Sequence, residues 1–338
     1  MLAIKQQVQC ITTLTPGVLP AKVVADNQPV ILKGFCDHWP IVTAGKQSLT
    51  QACDYLCSLY SGRPVTGYMA PSEANGRVFY NAEQNGFNYS AARIDLPQVL
   101  ARILSHQDDD CPPTLYVGST DVTQFFPGFS EHNTINVADQ SPLTNIWLGN
   151  RSRIAAHYDF PHNVACSAVG RRRFTLFPPS QVANLYPGPM EFSPGGQTIS
   201  MVDFDAPDFT QFPKFSQAIE CAQVALLEAG DALFLPSMWW HHVEGLDPLN
   251  VLVTHWWRDS PSFMGRPDSA LLHAMLSLRS LPEAQRQAWK HIFNHYIFDH
   301  QVGDSDHILP EAQGMLTTPQ SEHHARQLRA ELLNRLKR

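Results

Sequence analysis

Between about residues 112 and 258 the apolar positions fall in short runs separated by Pro, Gly and Asn: PTLYVG, TNIWLG, NVACSAVG, RFTLFPP, ALFLP and LNVLVTHWW. Runs of roughly four to eight residues rich in β-branched and aromatic side chains, bounded by turn formers, predict β-strands. Several such runs in succession predict a sandwich or a small barrel. From about residue 268 the spacing changes to that of one helix face, in SALLHAMLSL, in AQRQAWKHIFNHYIF and in a last stretch carrying Leu328, Leu332, Leu333 and Leu336. Ser280-Leu281-Pro282-Glu283 has the form of a capping box opening the second of these helices. Residues 1–110 mix helical and strand signals, including QPVILKGFCDHWP, where an apolar run meets a loop at Trp39-Pro40. The expected organisation is an N-terminal mixed segment packing on the core (1–110), a β core (111–260) and a C-terminal helical region (261–338).

The chain has 338 residues, and since barrels of roughly 200–250 residues form one core, length alone does not demand a second. A hydrophobic fraction of 43% with 16% charged residues belongs to a folded globular protein. The net charge of −7 argues against a surface built mainly to hold nucleic acid. The opening MLAIKQQVQCITTL lacks the apolar core and cleavage site of a secretory signal, and no run of about 18 apolar residues occurs. A soluble, cytoplasmic protein with no membrane segment is the expectation. Seven cysteines form no CxxC pair, so reduced, packed thiols are expected, with neither a disulfide framework nor a thiolate zinc site.

The chemistry begins at AAHYDF, residues 155–160. On a strand His157 and Asp159 share one face while Tyr158 points to the other. A third ligand of the same kind is available in GDALFLPSMWWHHVEG, from either His241 or His242, because neighbours on a strand face opposite sides. Two histidines and one carboxylate with positions left open make the facial triad of non-haem Fe(II) oxygenases, although zinc accepts the same ligands. His106-Gln107-Asp108 repeats the HxD spacing but lies in the polar stretch SHQDDDCPP, without a flanking strand signal, and is read as a solvated loop.

In the strand RRFTLFPP, alternation puts Arg172 on the same face as Phe174 and Leu176. An arginine on an apolar face needs an anion, since an unpaired buried charge is very costly. A bound carboxylate held by the guanidinium fork would serve; so would a protein Asp or Glu. Arg171 and Arg173 then face outward and are expected to be surface residues, and His162 is expected to be a solvated loop histidine near the entrance.

The runs HYDFPHNVACSAVGRRRFTLFPPSQVANLYPGP, MVDFDAPDFTQFPKF and GDALFLPSMWWHHVEG, in this order, resemble the JmjC, cupin-like Fe(II)/2-oxoglutarate oxygenases. The similarity is to the hypoxia-inducible factor asparaginyl hydroxylase and the tRNA wybutosine hydroxylase, and it extends from about residue 29 through THWWRD, with the C-terminal helices also similar. It implies a mainly β fold, a double-stranded β-helix (jelly-roll) core with flanking helices. It makes His157, Asp159 and His241 the metal ligands, turning His242 into a packing residue. It places Arg172 where the family has a lysine for the distal carboxylate of 2-oxoglutarate, with Tyr116 of LYVG assisting and Asn163 near the metal-bound end. Thr254 of VTHWW falls where the family has an asparagine, with His255 next to it. Ile154 and Gly118 stand in place of a threonine and a glutamine of the asparaginyl hydroxylase, so substrate identity does not carry over. Trp239, Trp240, Trp256 and Trp257 are expected to be mostly core or barrel wall.

The implied function is an oxygenase using Fe(II), 2-oxoglutarate and O2 to hydroxylate a C–H bond, first of all in a protein side chain. The same chemistry on a modified tRNA base or a small metabolite, demethylation of an N-methyl group, and a non-catalytic metal-binding cupin acting as a sensor are the alternatives. The apolar C-terminal helices, with the dimerisation common in the family, predict a homodimer.

Overall fold

The computed structural model describes residues 2–317 and 319–337. A first compact unit ends at Arg258 and a second begins at Asp259. Among the described residues the strands of the first unit form two sheets. The smaller runs laterally through Gln6–Gln7, Gln223–Leu227, Arg172–Phe177, Trp240–Gly245, Arg153–His157 and Arg77–Val78. The larger runs through Gln9–Thr12, Val30–Lys33, Ala232–Leu235, His162–Val169, Asn250–Trp257, Leu143–Gly149, Thr114–Asp121, Val65–Ala70 and Ser90–Ile94. Consecutive strands of the centre alternate between the sheets except at Arg172–Phe177 and Gln223–Leu227, which pair within the smaller one, the winding of a double-stranded β-helix, and segments before residue 110 extend both sheets at their edges.

Alternation builds the core between the sheets. Phe174, Leu176, Leu227 and Val243 of the smaller sheet pack with Ala165, Leu233, Leu235 and Leu252 of the larger. The other side of the larger sheet is covered by the helices Pro40–Gln47, Leu49–Leu59 and Leu96–Ser105, whose Ile41, Leu56 and Leu100 join Val164, Cys166 and Val253 in a second core. Both faces of that sheet are therefore buried, which is why NVACSAV and NVLVTHWW read as nearly continuous apolar runs. Gly170 makes the turn between sheets: its φ is +72°, and a Cβ there would stand 2.5 Å from the Leu249 carbonyl oxygen. The two strands it joins are His162–Val169 and Arg172–Phe177, so this turn delivers Arg172 to the interior.

His255 lies in the helix-covered core, its ring 5.8 Å from that of Trp39, with Nδ1 3.4 Å from the Val164 carbonyl oxygen. Burial pushes its pKa down from 6.5 to about 4. Between these values the unfolded chain binds the proton and the folded chain does not, so stability falls as pH drops through this window, by roughly 3 kcal/mol in full. Urea unfolding at pH 7 and pH 5 is expected to show His255→Phe losing about 2 kcal/mol less than wild type across that interval. Equal losses in both proteins would remove His255 as the cause.

The second unit carries the helices Pro267–Leu278, Glu283–Phe293 and Glu322–Leu336. The capping box is corrected: Pro282 is the N-cap of the middle helix and no side chain caps it. Leu281, which precedes a proline and is thereby kept out of the helical region, cannot serve as the first helical residue after Ser280; its amide donates instead to the Leu278 carbonyl at the end of the preceding helix. Among the described residues no helix is long and apolar enough to cross a membrane, and the seven cysteines are free thiols.

Candidate functional site

A cavity of about 270 Å³ opens between the sheets. His157, Asp159 and His241 meet in its wall, with one ligand atom of each within 4.8 Å of the others. The strand bearing His157 ends at that residue, so Asp159 lies just beyond it, a correction to the expectation of one strand carrying both. Its position comes instead from a backbone bond, Met238 N–H donating to the Asp159 carbonyl at 2.8 Å. A bulge between His241 and Val243 shifts the register so that His241 stands opposite His157. The two imidazole centroids are 4.2 Å apart, and His241 Nε2 is 3.7 Å from Asp159 Oδ2.

The tautomers follow from the hydrogen bonds. His157 Nδ1 lies 2.9 Å from the Ala155 carbonyl oxygen and His241 Nδ1 lies 3.0 Å from that of Trp239. A carbonyl only accepts, so each Nδ1 carries the proton and each Nε2 presents a lone pair, as a metal ligand must. Burial, and after it the neighbouring His157, hold the pKa of His241 well below the usual imidazole range, so it is neutral at pH 7. The set offers two imidazole nitrogens and one carboxylate, with no fourth ligand among the described residues, and fits a hexacoordinate metal that keeps open positions. His242 faces the other way: its ring lies 4.7 Å from that of Phe204 and its Nδ1 is 3.7 Å from Glu244 Oε2.

Arg172 lines the same cavity and is only 4% exposed. Its Nε has no hydrogen-bond partner, and among the described residues no carboxylate pairs with it. Burial lowers its pKa to about 10, against which the Tyr116 hydroxyl acts in the opposite sense, so it stays cationic at neutral pH. The phenol of Tyr116 is raised by burial and is neutral. Asn163 and Thr254 also border the cavity. Asn163 Oδ1 accepts from the His255 amide at 3.2 Å. The Thr254 hydroxyl accepts from Trp147 Nε1 at 2.9 Å and lies 3.4 Å from the Asn145 carbonyl oxygen; His255 is on the opposite face, which places Thr254 in the cavity register. Ile154 and Gly118 line the cavity too.

Other expectations change. His162 opens the strand His162–Val169, paired with Trp257, and is no loop residue: its ring stacks on Trp257 at 5.5 Å and its Nδ1 accepts from the Ser237 amide at 3.2 Å. Arg173 is largely covered and lies 3.7 Å from Glu244, whereas Arg171 is exposed and forks onto Asp247 at 2.8 Å. His106 pairs with Asp109 at 2.7 Å and belongs to no metal cluster among the described residues. Trp256 lines the cavity, while Trp239, Trp240 and Trp257 are core.

No sequence motif points to several of the lining residues, among them Tyr68, Tyr89, Trp147 and Gln197. Alternation in TNIWLG could have found Trp147, since Ile146 and Leu148 face the helix-covered core and Trp147 must face the other side. Gln197 Nε2 donates to Asp159 Oδ1 at 2.7 Å from an irregular segment, where no periodicity points to it.

A family model described as "Cupin-like domain" matches residues 16–263. The chain belongs to this cupin-like, JmjC-type family. The cupin-like domain is similar to lysine-specific demethylase 8 of Xenopus tropicalis, 26% identical over 68% of this chain and 48% of that protein. It is similar also to JmjC domain-containing protein D of Dictyostelium discoideum, 30% identical over 65% of this chain and 49% of that protein. The human HSPB1-associated protein 1 is 29% identical over 43% of this chain and 30% of its own length. The cupin-like domain thus spans about half the length, or less, of these curated relatives. The JmjC family depends on Fe(II) and 2-oxoglutarate, and the donor set here is of the kind that holds Fe(II).

Proposed function

We propose that this protein is an Fe(II)- and 2-oxoglutarate-dependent hydroxylase acting on a neutral side chain of a protein substrate. The observation that carries the reading is Arg172, a buried guanidinium without a carboxylate partner in the cavity that also holds His157, Asp159 and His241. An unpaired charge at that depth is strongly unfavourable, and a dicarboxylate reaching from the metal ligands to Arg172 would supply both the missing anion and a chelate. Bound Fe(II), with 2-oxoglutarate and O2, supplies the oxidising power for an unactivated C–H bond.

The chain's own residues do the rest. His157, Asp159 and His241 hold the metal through two Nε2 atoms and one carboxylate oxygen. Arg172 and Tyr116 fix the far carboxylate of the cosubstrate, and Asn163 borders the arm between. Thr254 holds the Trp147 indole in the wall. Ile154, Phe174, Val243 and Leu252 line the cavity with apolar surface that keeps water from the reacting atoms.

The relatives named lysine-specific demethylases raise N-methyl lysine as a substrate. Among the described residues, however, Asp159 is the sole carboxylate lining the cavity, and as a metal ligand it offers no counter-charge to an ammonium. That favours a neutral side chain. Arg172 is likewise the only Lys or Arg in the lining, which leaves a polyanionic tRNA without phosphate contacts there.

The test is anaerobic addition of Fe(II) and 2-oxoglutarate to the metal-free protein, followed by oxygen. A visible charge-transfer band and then succinate are expected for wild type and neither for His157→Ala. Metal binding without band or succinate would replace the oxygenase reading by that of a metal-binding sensor.

We also propose a homodimer formed by the second unit. Leu276, Phe298, Val302 and Leu309 are 68–88% exposed there, which leaves much apolar side chain uncovered for about 80 residues. Light scattering is expected to give a dimer for wild type and a monomer for Leu276→Glu/Phe298→Glu; a dimer in both would exclude this surface.

A further inference from the structure

We propose that Gln197 is the positioning residue for Asp159, and that an aromatic series running from the cavity lining to Phe192 holds Gln197 in place. The proposal rests on the reading of His157, Asp159 and His241 as a metal site.

Asp159 lies past the end of its strand, its main chain held by the Met238 N–H and its side chain oriented only by what its own oxygens meet. Its two oxygens are in different surroundings. Oδ2 faces His241 Nε2 at 3.7 Å, and Oδ1 accepts from Gln197 Nε2 at 2.7 Å. A carboxylate bonded through one oxygen to a neutral donor presents the other as a single, oriented ligand. Without the amide it rotates about its last side-chain torsion, which is broad, and the metal must then order it on binding.

Gln197 is not held by helix or strand. It follows Pro194, Gly195 and Gly196, the last at φ +82°. On its C-terminal side the chain is tied down at once, Ile199 bridging to His157. On its N-terminal side the anchor is Phe192. That ring stacks on Phe87 at 4.5 Å with 15° between planes, and the Phe192 carbonyl accepts from the Tyr80 hydroxyl at 2.6 Å. Phe87 stacks in turn on Tyr89 at 5.0 Å, and Tyr89 meets Tyr68 edge-on at 5.3 Å. Tyr68 and Tyr89 line the cavity. A continuous series of ring contacts therefore runs from the cavity lining to Phe192, five residues before the amide that orients the metal carboxylate.

The test is titration of the full-length metal-free protein with Co(II), read by its visible spectrum, for wild type, Gln197→Met, Phe192→Ala and the double variant. Methionine keeps the size of glutamine and removes the donor. Gln197→Met is expected to bind Co(II) about tenfold more weakly, the lower end of what loss of a partner behind a ligand costs, with a shifted spectrum and an unchanged Tm of the metal-free protein. Phe192→Ala is expected to weaken Co(II) in the wild-type background and to add nothing to Gln197→Met. Wild-type affinity and spectrum in Gln197→Met would overturn the positioning role. Full additivity in the double variant would overturn the stack. Failure of wild type itself to bind Co(II) would overturn the metal reading beneath both.

Discussion

Arg172→Met is expected to raise the KM for 2-oxoglutarate by roughly 100-fold or more while making the cosubstrate-free protein more stable. The two effects have one cause. In the bound state the guanidinium and the cosubstrate carboxylate form a buried ion pair, and removing one partner of such a pair costs about 3–5 kcal/mol, which at about 1.4 kcal/mol per decade is two to three orders of magnitude in affinity. In the free state the same guanidinium is buried without a carboxylate, and a well-packed hydrophobe in its place is expected to add about 1–4 kcal/mol. Succinate formation against 2-oxoglutarate concentration measures the first, urea unfolding the second. Arg172→Lys, which keeps the charge and loses the fork, is expected to fall between. An unchanged KM in Arg172→Met would mean that the cosubstrate carboxylate lies elsewhere.

The second large effect separates adjacent histidines. His241→Ala is expected to abolish metal-dependent turnover and to weaken Co(II) binding by more than the roughly 10–100-fold that loss of a partner behind a ligand produces. His242→Ala, one residue along the same strand, is expected to leave Co(II) affinity within about threefold and to act on stability alone, because its ring packs on Phe204 on the opposite face. Calorimetric titration with Co(II) decides between them. Equal losses in the two variants would mean that the strand was distorted and no ligand identified.

How much of this was legible depended on periodicity. RRFTLFPP carries the alternation that turns Arg172 inward, and WWHHVE carries the one that splits His241 from His242; both are properties of a strand and need no tertiary knowledge. Trp147 was legible by the same rule. What periodicity does not encode was not legible: the end of the strand at His157, the bulge that brings His241 opposite it, and the Gln197 amide arriving from a segment of Pro and Gly. His162 was misplaced because its pairing with Trp257, across 95 residues of sequence, is what makes it strand. The capping box failed on a local rule, the restriction that Pro282 imposes on Leu281.

Both imidazoles are oriented in one way, each Nδ1 bonded to the main-chain carbonyl two residues earlier. Main chain is present whatever the neighbouring side chains are, so neither ring needs a dedicated Asp, Asn or Gln to keep its tautomer. The residues surrounding the two rings are thereby free to vary over evolutionary time without disturbing them. A cavity that keeps its pair of histidines on these terms can take other residues elsewhere in its lining and pass through each intermediate sequence with the same two nitrogens in place.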